Sequence, residues 1–105
     1  KGHGTGTLQA GNLEAVKTHE FLPGHPLISW KGSLGHTLGS CALVELALAL
    51  SAHESGEIPG TVGTEGLCFA PNVETGTLQA KDFDSTLFLS NAFGGAHGAM
   101  VVNYA

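Results

Sequence analysis

Residues 41–50 read Cys-Ala-Leu-Val-Glu-Leu-Ala-Leu-Ala-Leu, nine apolar residues around one carboxylate, Glu45. The stretch predicts a long helix, about Leu34 to His53, that is apolar on most of its circumference. Such a helix is normally buried on several sides rather than laid on a surface. A carboxylate in its middle is costly to bury unless a cation or hydrogen-bond donor meets it. The nearest candidates are Lys31 and His36. A strand-like run, Pro26-Leu27-Ile28-Ser29-Trp30, delivers Lys31 into the glycine-rich turn that carries His36. Gly35 and Gly39 leave one side of that turn without side chains, so another backbone or a ligand can approach. The ordinary alternatives are a solvated lysine and a structural histidine.

A chain of 105 residues forms at most one domain, and a domain of that size buries a smaller fraction of its surface than a large one. Here 42% of the residues are apolar and only 12% charged, which suggests a piece of a larger protein. The net charge is −5, with nine acidic residues, four lysines and no arginine, a poor composition for holding a phosphate backbone. Nucleic acid is therefore not an expected partner. Cys41 and Cys68 form neither a disulfide framework nor a zinc pattern, and suit a reducing cytoplasm. The first residues lack the apolar core of a signal peptide, and residues 41–50 are too few to span a bilayer. The reading is thus cytoplasmic, without membrane attachment. Six histidines invite a metal-binding module, but none are paired at i, i+4 or as His-x-His, so no metal is expected.

Taken in order, His3-Gly4-Thr5-Gly6-Thr7 is a loop, because two glycines and two β-branched threonines make a poor helix. It offers one imidazole, two hydroxyls and exposed amides, a set suited to an amide or carbonyl ligand beside a proton-handling group. A short helix is predicted over 12–20, with Asn12 as N-cap and Glu14 in its first turn. Residues 22–26 turn the chain, and His19 and His25 fall on the surface. After a stop at residues 55–60, residues 60–71 read as irregular chain and 73–79 include a short strand. Strands follow at 86–91 and 98–104, joined by a hairpin-like connection through Asn91-Ala92-Phe93-Gly94-Gly95. Their apolarity fits the centre of a covered sheet. Phe93 is either a mobile aromatic lid or a packed turn residue. The hexapeptide Thr-Gly-Thr-Leu-Gln-Ala occurs at 5–10 and again at 75–80, with a period that suits no repeat architecture.

Three loops, HGTGT at 3–7, KGSLGH at 31–36 and NAFGG at 91–95, stand in an order and spacing that resemble the C-terminal part of the β-ketoacyl-ACP synthases. These are the thiolase-fold condensing enzymes of fatty-acid and polyketide synthesis. The resemblance covers almost the whole chain, 1–105, and implies an α/β, thiolase-like half-domain: a mixed sheet covered by the buried helix. It implies that His3 and His36 are the catalytic histidines that assist decarboxylation of malonyl-ACP and stabilise the enolate, with Lys31 and Glu45 as the charged network behind them. Glu45 falls nine residues after His36, as in the family. Thr5 and Thr7 match the threonines that bind the phosphopantetheine amides, and Phe93 with Gly94 matches the gating loop at the substrate. No cofactor is implied beyond the phosphopantetheine carried by the acyl carrier protein, which is the expected partner together with an N-terminal half. A dimer is expected.

Departures accompany the resemblance. The family's acyl-accepting cysteine lies in its N-terminal half, and neither Cys41, within the helix, nor Cys68 replaces it, so this piece alone is expected to be inactive. Gly11 stands where an acidic residue is common, Gly32 where a serine or another small residue is common, and NAFGG is two residues shorter than the usual loop. The runner-up is a non-catalytic partner subunit similar to chain-length factors, against which the retained His3, His36 and Lys31 speak. A degradative thiolase would be expected to end in a cysteine-bearing glycine loop, and NAFGG has none.

Overall fold

The computed structural model describes residues 1–64 and 71–104. Cys68 and the centre of the irregular stretch expected over 60–71 lie outside the described residues.

Helix α1 spans Leu8–Phe21, with Thr7 in the cap position. It begins a full turn earlier than the predicted 12–20, because the Gly11 amide donates to the Thr7 carbonyl at 2.8 Å and the helix runs through the glycine. A mid-helix glycine costs about 1 kcal/mol relative to alanine, too little to stop a helix anchored elsewhere. Asn12 is therefore no cap, and Glu14 lies in mid-helix rather than in the first turn.

The long helix predicted over 34–53 is broken. Lys31–Leu34 form a single turn, α2; Leu38–Ser40 form a 3-10 turn; and α3 spans Cys41–Ser55. Gly35, at φ 78° and ψ 174°, takes the chain out of helical geometry, which places His36 on a loop. Close approach explains glycine at position 32: a Cβ there would stand 2.1 Å from the Val62 carbonyl oxygen, a backbone atom that cannot give way cheaply. Only one row of α3 is buried, Cys41, Glu45 and Ala49 at four-residue spacing. Leu43 is 73% exposed, and Val44, Leu48 and Leu50 are also open. Burial on several sides is thus not observed, because the chain supplies a packing surface for one face while the composition is apolar on all of them.

Strands β1 (Glu57–Ile58) and β2 (Leu78–Gln79) form one short antiparallel pair, and β3 (Ser85–Ala92) and β4 (Ala96–Asn103) form a longer hairpin. The hairpin runs from Ser85↔Asn103 to Ala92↔Ala96 and closes through Phe93-Gly94-Gly95. Both turn glycines have φ near +80° (84° and 78°), a region that a side chain disfavours. The strand expected at 26–30 is not a ladder: it makes one parallel bridge, Leu27↔Val73. Pro26 has no N–H to give, and Trp30 leads straight into α2, so too few residues remain for regular pairing. Single backbone bonds nevertheless align the extended pieces. Leu89 N–H donates to the Lys1 carbonyl, Gly2 N–H to Ile28, and Leu27 N–H to Asn72, at 2.9, 2.9 and 2.7 Å. Residues 1–2 are thereby held between β3 and residues 27–28.

The core joins Ile28 and Trp30 to Ala49 of α3, Ile58, Ala80 and Phe88 of β3. A second cluster packs Ala15 of α1 on Leu27. Trp30 is oriented by its indole N–H, which donates to the Pro59 carbonyl at 2.8 Å. Leu38, Phe21, Met100 and Val101 remain exposed. No helix is long and apolar enough to cross a membrane among the described residues.

Candidate active site

The row of α3 that turns inward carries Glu45 into the protein, where its side chain is 6% exposed. The carboxylate is met on both oxygens. Lys31, at the start of α2, donates to Oε1 at 2.8 Å, and Lys1 donates to Oε2. Each ammonium also grips a carbonyl of the first loop: Lys31 Nζ bonds the His3 carbonyl at 2.5 Å, and Lys1 Nζ the Gly2 carbonyl at 2.6 Å. Burial alone pushes the Glu45 carboxyl up, but the two lysine hydrogen bonds and their charges outweigh it and hold the group below its ordinary range. Burial lowers the Lys1 ammonium, against the opposing pull of Glu45.

The first loop is fixed from its other side by α1. Glu14 accepts the His3 amide on Oε1 at 2.5 Å and the Gly4 amide on Oε2 at 2.7 Å. This contact, not the helix macrodipole, is what Glu14 does. Replacing it by alanine strands two amides, and urea denaturation should show a loss of about 1–3 kcal/mol. Glutamine, which keeps one carbonyl acceptor, should lose less.

His3 and His36 are brought together. Their rings stand edge to face, with centroids 5.5 Å apart and planes at 80°. His3 is buried and His36 exposed. Burial, then the nearby Lys31 charge, lowers the His3 imidazole and keeps it neutral near pH 7. His36 Nδ1 accepts the Leu38 amide at 3.0 Å. An accepting Nδ1 puts the ring proton on Nε2, leaving that N–H free to donate. Leu38 serves this bond from a left-handed backbone, φ 55°, that costs a branched residue about 1–2 kcal/mol. The site thus presents two imidazoles in edge-to-face contact beside a buried bridge of two lysines and one glutamate, and such N–H donors suit stabilising negative charge on a ligand.

Thr5 and Thr7 face each other, hydroxyls 3.4 Å apart, and line a cleft of about 280 Å³ with Lys31, Thr61 and Glu14. Neither imidazole is among its walls. Phe93 and Gly94 stand at the hairpin tip, and Phe93 is fully exposed. Among the described residues, no hydrogen bond or ring contact joins them to the histidines. Cys41 is the first residue of α3 rather than an internal one, because the helix starts late; its side chain is buried. Among the described residues, no three histidine, cysteine, aspartate or glutamate side chains converge on a point that would hold a metal.

Comparison with known proteins decides the family. The family model described as "Beta-ketoacyl synthase, C-terminal domain" matches residues 1–65. The chain belongs to this family. Its β-ketoacyl synthase sequence is similar along 98% of its length to "Putative polyketide beta-ketoacyl synthase 1" of Streptomyces virginiae, at 31% identity over 109 residues. It is likewise similar along 95% of its length to "Tetracenomycin polyketide synthase ketoacyl synthase alpha subunit" of Streptomyces glaucescens, at 32% identity. The chain spans about a quarter of the length of these curated relatives, 26% and 25%. No solved structure gives a significant match.

Two features of this β-ketoacyl synthase site escape a reading of the sequence. Lys1 is one: if residues 1–3 are taken as extended, alternation puts Lys1 and His3 on one face, and that is the signal that would have found it. The Leu38 amide is the other, and no residue-type signal announces it.

Proposed function

We propose that this chain is the C-terminal part of a β-ketoacyl-ACP synthase that carries out decarboxylative Claisen condensation in polyketide synthesis. In this reading an acyl group is held as a thioester on a cysteine outside the chain. Malonyl thioester binds with its carbonyl oxygen at the two imidazoles. The bond from C2 to the carboxylate breaks and carbon dioxide leaves, and the electron pair passes into an enolate whose oxygen His3 and His36 stabilise. C2 then attacks the acyl thioester carbon and expels the cysteine thiolate, giving the β-ketoacyl product. Lys31 and Glu45 hold the His3 loop in place. Thr5 and Thr7 receive the phosphopantetheine arm of the acyl carrier protein in the cleft, and Phe93 with Gly94 closes the acyl side. The observation that carries the reading is the His3–His36 pair at 5.5 Å over the buried Lys31–Glu45 bridge.

The exposed leucines of α3 fit the packing surface for the remainder of such a synthase, so the chain alone is expected to be inactive. The relatives named as polyketide ketosynthases, one of them an alpha subunit, favour the polyketide pathway over fatty-acid synthesis. The test is to supply the intact gene product with acyl- and malonyl-carrier proteins and follow the acyl species by mass spectrometry. A β-ketoacyl product supports the reading. Tight binding to a second ketosynthase without condensation or decarboxylation would replace it with the chain-length-factor role.

A further inference from the structure

Two lysines on one glutamate is more positive charge than a buried bridge needs. The Lys31–Glu45 pair is neutral by itself, and adding Lys1, 1% exposed at its side chain, leaves the cluster at +1. A surplus buried ammonium costs free energy that a methionine of similar length would not. Its contacts show what it adds. Lys1 and Lys31 each donate to a different oxygen of Glu45, and from there to the consecutive carbonyls of Gly2 and His3. With Glu14, half-buried, on the His3 and Gly4 amides, the backbone on both sides of the imidazole is held by charged side chains.

We propose that Lys1 is a positioning residue for His3, sharing Glu45 with Lys31 so that the His3 loop is clamped and a second ammonium stands behind its ring. The charged and titratable groups around that ring are Lys31 from α2, Glu14 from α1, His36 from the following loop, and Lys1 with its partner Glu45 from α3. Burial, then Lys31, His36 and Lys1, disfavour the imidazolium, and Glu14 favours it. Removing Lys1 takes the cluster from +1 to neutral, so His3 protonates at higher pH than before. The inference deepens the proposed function and rests on it, since that reading uses a neutral His3, with a single N–H donor, against the enolate oxygen.

The experiment is a histidine-selective NMR titration of the intact protein as wild type, Lys1→Met and Lys1→Arg, beside the pH profile of malonyl-thioester decarboxylation. The expected result is an upward shift of the His3 midpoint in Lys1→Met, with the acidic limb of the rate profile moving the same way. Arginine, which keeps the charge, restores both. A Lys1→Met protein with an unmoved His3 midpoint overturns the proposal even if it is less stable, and so does an arginine variant that behaves like methionine. If Lys1→Met does not fold, Lys1→Gln removes the charge while keeping a donor for Gly2, and the same shift is expected. The NMR readout needs no activity: a shifted midpoint in a protein that condenses nothing supports the clamp and sinks the synthase reading.

Discussion

His3→Ala in the intact synthase is expected to lower decarboxylation of the malonyl thioester by about 10²–10³-fold, the usual cost of removing one donor aimed at a developing oxyanion. The effect should fall on kcat more than on KM, because charge grows on the oxygen only as the carboxylate leaves. Transfer of the acyl group to the nucleophile should survive, since the reading gives His3 no part in that step. His3 is buried, so alanine also opens a void, and a stability measurement beside the kinetics separates the two losses. A rate that falls only in parallel with unfolding would assign His3 to packing.

Glu45→Ala is expected to destabilise the protein by about 3–5 kcal/mol, the range for breaking a buried charged network by deleting one member. The cost is high because it leaves two ammonium groups, Lys1 and Lys31, buried around an empty place. Urea denaturation with an unchanged slope would report it. Acid should act in the same direction. The folded protein holds the Glu45 carboxyl below its ordinary value of 4.5. A depressed carboxyl contributes stability that is fully present above its unfolded pKa and lost as pH falls through the folded one. Wild type should therefore lose stability below about pH 4.5 more steeply than Glu45→Gln, which has no carboxyl to protonate. Equal acid slopes would mean that the bridge adds nothing to the folded state.

The sequence makes part of this plain. His3, Lys31, His36 and Glu45 stand out because each is a polar group that glycine-rich or apolar surroundings leave without an ordinary explanation. The hairpin is legible from two apolar runs around Phe93-Gly94-Gly95. What is lost is whatever depends on distant partners. The helix predicted from residue 34 starts at Cys41 because Gly35 breaks the chain there, and periodicity cannot weigh one glycine against a run of leucines. Leu27, Ile28 and Trp30 of the run at 26–30 are buried as their residue types suggest, but Pro26 and the turn at Lys31 leave the run a single bridge. The hexapeptide Thr-Gly-Thr-Leu-Gln-Ala shows the limit most clearly. At 5–10 it opens α1, with Leu8 70% exposed; at 75–80 it enters β2 and a 3-10 turn, with Ala80 at 2%. Identical local preferences yield to different neighbours, a helix continuing through Gly11 in one case and an antiparallel partner at Glu57–Ile58 in the other.

The most direct measurement is carbon dioxide release from a labelled malonyl thioester by the intact synthase carrying His3→Ala, His36→Ala or both. Two imidazoles serving one oxygen act as a unit, so each single change should remove most of the rate and the double change little more. Full multiplication of the two losses, or a His36→Ala enzyme as fast as wild type, would show that the two rings do not share the reacting oxygen.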